Sequence, residues 1–339
     1  MCRKHLQITF AFIFFLIAWP SAQAFTTLPP GPKPIPVETG LYINDILGLV
    51  ESNETMTFVG TLTLRWRDKR LAFNPEDVGT REKNFDTHSG RVALARIWYP
   101  QIELLKGRGP RQVQMLHLTI SDMGVVTLTE KFLATTEVHM DLRHFPFDKQ
   151  VVEVALRPFA DDAALVQLKN LTEFSGVSKN VDMQGWILSK FVTGITTVDS
   201  KLYQTPFSQY NLMIQYNRIS TYYIFQVFIP IMLIVLLSFS VFWMVTDPLV
   251  NRVAISLTAV LTIVVFEWRI ASKLPRVNYH MFADAFMLTS FVIAASTILA
   301  TLFLGRLEQQ RKKKYLSIFR IGYPILYLIA VAVVGVYFL

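Results

Sequence analysis

Cysteine is nearly absent from this 339-residue chain, the single one being Cys2. With residues 1–24 removed as a leader no thiol remains, which excludes disulfide bridges and thiolate metal sites. Charge is scarce too, at 17% of residues against 52% hydrophobic ones. That balance is too apolar for a wholly soluble protein and fits one soluble domain joined to one membrane domain. Catalytic signatures are missing. The six histidines (5, 88, 117, 139, 144 and 280) form no HExxH or i, i+4 pair, and neither a nucleophile elbow nor a phosphate-binding glycine loop occurs. Asp161-Asp162 reads as a solvated turn rather than an acid–base dyad. The chain is therefore not read as an enzyme, and no cofactor or metal is expected. Much of its net charge of +8 lies over Arg306–Arg320, where Arg311-Lys312-Lys313-Lys314 follow an apolar segment. Basic residues there mark the cytoplasmic side of a membrane, so no nucleic-acid partner is expected.

In residues 1–24, Arg3 and Lys4 precede an apolar run over 6–19, and Ala22-Gln23-Ala24 offers a small-x-small cleavage site. This reads as a secretory signal peptide. The alternative, a further membrane helix, is disfavoured because a span needs about 20 apolar residues. A proline-rich lead over 28–36, with five prolines, is expected to stay outside any sheet as an exposed tether. Short alternating segments follow. Leu62, Leu64 and Trp66 alternate with Thr61, Thr63, Arg65 and Arg67. Val152, Val154 and Leu156 share one side, as do Leu212, Ile214 and Tyr216. Turn signals such as Gly107-Arg108-Gly109-Pro110 and Ser121-Asp122-Met123-Gly124 separate such runs. Residues 25–220 are thus expected to form an all-β, immunoglobulin-like antiparallel sandwich, with no helix of useful length before 220.

Four long apolar segments cover about 222–245, 249–271, 281–304 and 321–339, each long enough to cross a ~30 Å hydrocarbon core. They predict an all-α four-helix transmembrane bundle over 221–339, with a short cytoplasmic loop at 305–320. Pro230 interrupts the first helix. The second segment carries Arg252, Ser256, Thr258, Thr262, Glu267, Arg269 and Ser272, which are costly in lipid unless they face water or partners. Ala254, Thr258, Leu261, Val265, Trp268 and Ser272 recur at steps of four and three and share one helical face. Taken alone, that stripe is either a seam against a neighbouring helix or the lining of a water path.

The segment over 138–152 contains Phe145-Pro146-Phe147-Asp148, then Gln150, about 70 residues before the first apolar run. A proline between two rings suits a tight turn with a cis peptide. Together these resemble the pentameric ligand-gated ion channel (Cys-loop receptor) family, whose signature loop reads Phe-Pro-Phe-Asp-x-Gln. Val138 and Val152 stand where the family's namesake cysteines would be, and prokaryotic members lack that bridge. The resemblance implies a homopentamer in a bacterial inner membrane, with the exported domain and the carboxyl terminus on the outer side. Its partners would be the lipid bilayer, permeant inorganic ions and an agonist, either a small molecule or protons.

The resemblance also assigns residues. The stripe would line the pore with Leu261 at the hydrophobic gate, and Asp247, Asn251 and Arg252 would form the inner mouth. Val250-Asn251 matches neither the acidic residue of cation-selective relatives nor the Pro-Ala of anion-selective ones. Asp247 favours cations, with an anion channel as the alternative. Phe159, Tyr203 and Phe207 would give the principal face of a ligand pocket, and Trp98-Tyr99-Pro100 a packing element. Leu105 replaces a frequent Tyr of that pocket. Thr61, Thr63 and Arg65 would supply the complementary face, where Arg65 suits a carboxylated ligand. Glu51, Asp148 and Arg218 would form an acidic–basic cluster coupling the domains, beside Phe145, Pro146 and Phe147. The linker residues Lys273, Pro275 and Arg276 would lie against it. The alternative from another class is a non-conducting receptor signalling through 305–320.

Overall fold

The computed structural model describes residues 27–181, 183–201, 203–244 and 246–338. The leader expected over 1–24 lies outside the described residues. Period-2 alternation becomes strand: β1 (Ile35–Val50), β2 (Thr55–Arg67), β3 (Glu82–Phe85), β4 (Ile102–Leu104), β5 (Gln112–Ser121), β6 (Val125–Glu137), β7 (Lys149–Pro158), β8 (Val166–Asn170), β9 (Gly176–Val177), β10 (Trp186–Asp199) and β11 (Pro206–Arg218). One sheet runs β3-β5-β6-β2-β1-β8 with β9 also on β1, and the other runs β10-β11-β7-β4. Leu62, Leu64 and Trp66, with Val152, Val154, Leu156, Leu212, Ile214 and Tyr216, are all buried between the sheets. Burying each such Leu, Val or Ile contributes about 1.5–3 kcal/mol. Trp98 joins this core, edge-on to Trp66 at 6.1 Å between ring centroids. Val138 and Val152, at the cysteine positions, are buried core residues.

The sandwich departs from expectation in three places. Two pairings are parallel, β1 with β8 and β1 with β9, because the chain crosses between sheets after β7 instead of turning back as a hairpin. The proline-rich lead does enter the sheet, since Pro36 lies in β1 opposite Gln167. Pairing of β1 with β2 starts only at Glu38, so the missing N–H of Pro36 costs no ladder bond. Short helices at Pro75–Val78 and Thr87–Leu94 precede residue 220. They are too short to show a period. Their sequence signals are caps, since Asp86 accepts from the N–H of His88 and Ser89, and Asn74 from that of Glu76.

Among the described residues four helices are long and apolar enough to cross a membrane: Thr221–Phe242, Leu249–Ala271, Phe282–Gly305 and Gln309–Phe338. In the first, the N–H of Ile229 reaches the carbonyl of Ile224, a wide turn directly before Pro230, which has no N–H to give. That helix stops at Phe242, short of 245. Arg252 Nε donates to the Val241 carbonyl at 3.1 Å and Arg320 Nε to that of Phe242 at 3.0 Å, so two guanidinium groups cap its end. The loop expected over 305–320 is corrected to 306–308, because the fourth helix begins at Gln309 instead of 321. Gln, Arg and Lys are good helix formers. Leu316 is buried, and Tyr315 packs edge-on to Phe303 at 5.7 Å, which docks the basic turns on the third helix.

Candidate functional site

After β6 the chain does not stay with the sandwich. Residues 138–148 enter the outer end of the helical bundle, and the Phe145–Pro146 peptide is cis. Phe145 is buried and meets Tyr223 edge-on at 4.7 Å, while Phe147 stacks on Phe228 at 6.5 Å and meets Phe282 edge-on at 5.5 Å. The Phe282 N–H donates to the Arg143 carbonyl at 2.9 Å, tying the third helix to the same loop.

Next to these rings the structure brings together Glu51, Asp148 and Arg218. Arg218 Nε and Nη2 donate to the two Asp148 carboxylate oxygens at 2.6 and 3.2 Å, and Nη1 donates to Glu51 at 2.6 Å. The guanidinium lies 4.1 Å from the Trp186 ring and 4.7 Å from that of Phe145. Burial alone would lower the Arg218 pKa, but the hydrogen bonds it donates to Asp148 and Glu51, with their negative charges, outweigh it and raise the value. Asp148 is held in turn by Gln150, whose Nε2 donates to it at 2.5 Å and to the Asp141 carbonyl at 2.7 Å. All five donors of Arg218 have this one region to serve, so its orientation is fixed.

The linker after the second helix touches the loop through residues that sequence reasoning did not single out. The Leu142 N–H donates to the Tyr279 hydroxyl at 3.0 Å, and that hydroxyl donates to the Met140 carbonyl at 3.4 Å. Leu274 is buried beside Phe145 at a small cavity that Tyr222, Tyr223, Val227 and Ile270 line together with Arg269 and Lys273. Lys273 and Arg276 are exposed and Pro275 half-buried, with Lys273 Nζ 5.8 Å from the Tyr222 ring. The linker thus meets the loop through the apolar Leu274 and the Tyr279 hydroxyl, while Lys273 sits at the edge of that cavity. Gln150 was visible in the loop motif. Trp186, Tyr223 and Tyr279 had no such signal, being aromatic residues in aromatic-rich stretches.

On the second helix, Ala254, Thr258, Leu261, Val265, Trp268 and Ser272 are all exposed, Trp268 to 75%, while Ser256, Ala259, Val260, Ile263 and Ile270 are buried against the protomer's own bundle. Thr258 donates to the Ala254 carbonyl at 2.9 Å, so its hydroxyl is satisfied without a neighbour. At the inner end the mouth differs from expectation. Arg252 is 2% exposed and turned into the bundle to cap the first helix, which leaves Asn251 exposed and Asp247 half-buried.

The residues assigned to a ligand pocket are divided. Phe159 and Tyr203 are exposed, and their loops are joined where the Ala163 N–H donates to the Pro206 carbonyl at 2.8 Å. Phe207 is buried, 2% exposed, with the Arg157 guanidinium 5.1 Å above its ring and Tyr203 at 5.6 Å. Leu105 is half-buried, its N–H donating to the Ala155 carbonyl. Opposite, Thr61 donates to Asn44 at 2.7 Å, but Thr63 is buried, although it lies on the face of β2 opposite Leu62 and Leu64. Arg65 does not stand free for a carboxylate: it lies 3.4 Å from both Glu38 and Glu173. Asp161 is half-buried, and burial, aided by the charge of Asp162, raises its pKa. Asp162 itself accepts from the N–H groups of Ala164 and Leu165.

Sequence profiles match both halves of the chain: the neurotransmitter-gated ion-channel ligand binding domain over residues 26–226 and the transmembrane region of the same channels over 227–318. A proton-gated ion channel of Gloeobacter violaceus is 25% identical over 309 residues, covering 89% of this chain and 84% of that protein. The gamma-aminobutyric acid receptor subunit rho-2 of Mus musculus is 26% identical over 86% of this chain and 63% of its own length. A gamma-aminobutyric acid receptor beta-like subunit of Drosophila melanogaster is 27% identical over 79% of this chain and 56% of its own. This chain therefore spans less than two thirds of the two animal subunits. A sandwich, four apolar helices and a signature loop buried between them agree with those matches, and the chain belongs to the neurotransmitter-gated, or Cys-loop, family of pentameric ligand-gated ion channels.

Proposed function

We propose that the chain, exported by residues 1–24, forms a homopentameric, agonist-gated channel in a bacterial inner membrane. Residues 25–220 would lie on the outer side and 221–339 in the membrane, with the basic turns around Arg311 inside. The carrying observation is the second helix, whose stripe from Ala254 to Ser272 is exposed along its whole length while the opposite face is buried. Five such stripes around an axis enclose a path that is hydroxylated below, apolar at Leu261 and Val265, and narrowed by Trp268. An apolar ring closes a pore by dewetting, without plugging it. Leu261→Ser should lower the cost of wetting, giving channels that open at lower agonist concentration. An unchanged or reduced sensitivity would remove Leu261 from the gate.

Selectivity for cations is supported by the mouth. Arg252 is turned to the end of the first helix, while Asp247 and Asn251 remain partly or fully accessible. Agonist would bind between Phe159 and Tyr203 of one subunit and the face of Thr61, Arg65, Glu38 and Glu173 on the next. That second face carries two carboxylates against one guanidinium, a net negative charge that favours a small amine over a carboxylate ligand. Protons are the other agonist to test, given the proton-gated relative. Purified protein in planar bilayers, challenged with acid, small amines and small carboxylates, and measured for reversal potential in a salt gradient, tests all three points. Currents evoked only by carboxylates, or a reversal potential on the anion side, would overturn the respective part.

A further inference from the structure

The outer end of the second helix carries opposite charges on either side of Trp268, at Glu267 and Arg269. Residues two apart on a helix do not face each other. Successive residues are turned by about 100°, so with Trp268 on the exposed stripe, Glu267 points to one flank of the helix and Arg269 to the other. Both residues are exposed, and neither has an ion-pair partner among the described residues. Charges in a membrane helix are costly unless they meet water or an opposite charge. Lys273, one turn above Arg269 and also exposed, adds positive charge to the Arg269 flank. The helix thus has one acidic and one basic flank at the same depth, about 3 Å apart along its axis.

A ring closed by rotation sets one flank of each helix against the opposite flank of the next copy. We infer that Glu267 of each subunit pairs with Arg269 of the neighbouring copy, giving an ion pair at every seam beside the Trp268 ring. The partner is a second copy of this chain, and the inference rests on the ring proposed above. These pairs fix the lateral spacing of the helices at the outer end of the pore, while the stripe itself stays uncharged.

The test uses the full chain in detergent, with the temperature at which the oligomer peak is lost from size-exclusion profiles as the readout. Each single reversal, Glu267→Arg or Arg269→Glu, places like charges at every seam and should lower that temperature. The exchange carrying both substitutions restores opposite charges and should return it toward the wild-type value. The neutral cycle of Glu267→Gln, Arg269→Gln and their double gives a second reading should a reversal fail to fold. A paired arrangement makes the double no worse than either single, whereas simple additivity overturns the pair. An exchange no better than the worse single also overturns it. If, in addition, only the Arg269 substitutions do damage, Arg269 and Lys273 serve an anionic lipid headgroup instead. The wild-type mass separates the two levels. A monomeric wild type removes the ring and the pair together, while an intact ring with unrescued reversals removes only the pair.

Discussion

Arg218 is the residue through which the two halves of the chain are joined, and its demands are geometric as well as electrostatic. Its fork meets Asp148 with two donors and Glu51 with a third, in a site where its side chain is only 2% exposed. A lysine brings the charge but not the fork. Arg218→Lys is therefore expected to assemble and bind agonist normally yet to open poorly, as measured by currents alongside surface amount. Arg218→Ala leaves the Asp148 carboxylate buried without its cation, a change that costs about 3–5 kcal/mol in comparable buried pairs. Adding Asp148→Asn to it should recover part of that loss, so the cycle is non-additive. Simple addition of the two effects would dissolve the proposed link. Asp161 yields a separate prediction with pH. Its folded pKa lies above the ordinary carboxylate value, so the folded state holds the proton more tightly than the unfolded one. The stability that follows is fully present below the ordinary value and is lost as pH rises through the raised one. Asp161→Asn should flatten that acid-range slope and melt higher than wild type at neutral pH. A wild-type slope that survives the substitution would assign it to another group.

Among the elements, the linker between the second and third helices has the most to transmit. It meets the signature loop through the apolar Leu274 and through one hydroxyl, that of Tyr279. Tyr279→Phe leaves the Leu142 N–H without its acceptor, which costs about 1–3 kcal/mol when no water replaces it. The expected outcome is a higher agonist concentration for half-maximal current at unchanged surface expression. A dose–response curve superimposed on wild type would show that the loop moves the pore helix by another route. The short loop at 306–308 has a related consequence. With the basic run already helical, there is little chain in which to house a signalling segment, which weighs against a non-conducting receptor.

In the whole molecule, one sandwich stands on one bundle, and their contact is a nest of rings around a buried ion cluster. The proposed orientation is open to direct measurement because the only cysteine in the sequence is Cys2. Lys179→Cys in the sandwich and Lys313→Cys at the fourth helix are both at exposed positions. A membrane-impermeant maleimide should label the first in intact spheroplasts and the second only after permeabilisation. Labelling of both without permeabilisation would contradict the orientation inferred from the basic cluster.

What could be read from the residues in order was whatever depends on neighbours in the chain. Alternation of Leu62, Leu64 and Trp66 marked a strand face, and steps of four and three marked the face from Ala254 to Ser272, because these periods belong to the local backbone. The four membrane segments and the aromatic loop were legible for the same reason, being continuous runs. Resemblance to a known family added the trio of Glu51, Asp148 and Arg218, which no local rule connects across a separation of 167 residues. Tertiary structure alone decided where long side chains are spent. Arg252 could face a pore or cap a helix, and it donates to the Val241 carbonyl in the last turn of the first helix, where carbonyls run out of helical donors. Phe207 could line a pocket or fill a core, and Arg157 covers it. Arg65 was expected to offer a free charge, and two carboxylates surround it. A side chain several bonds long reaches different partners from one backbone position, so its role is set by which distant elements fold beside it, and periodicity carries no record of that.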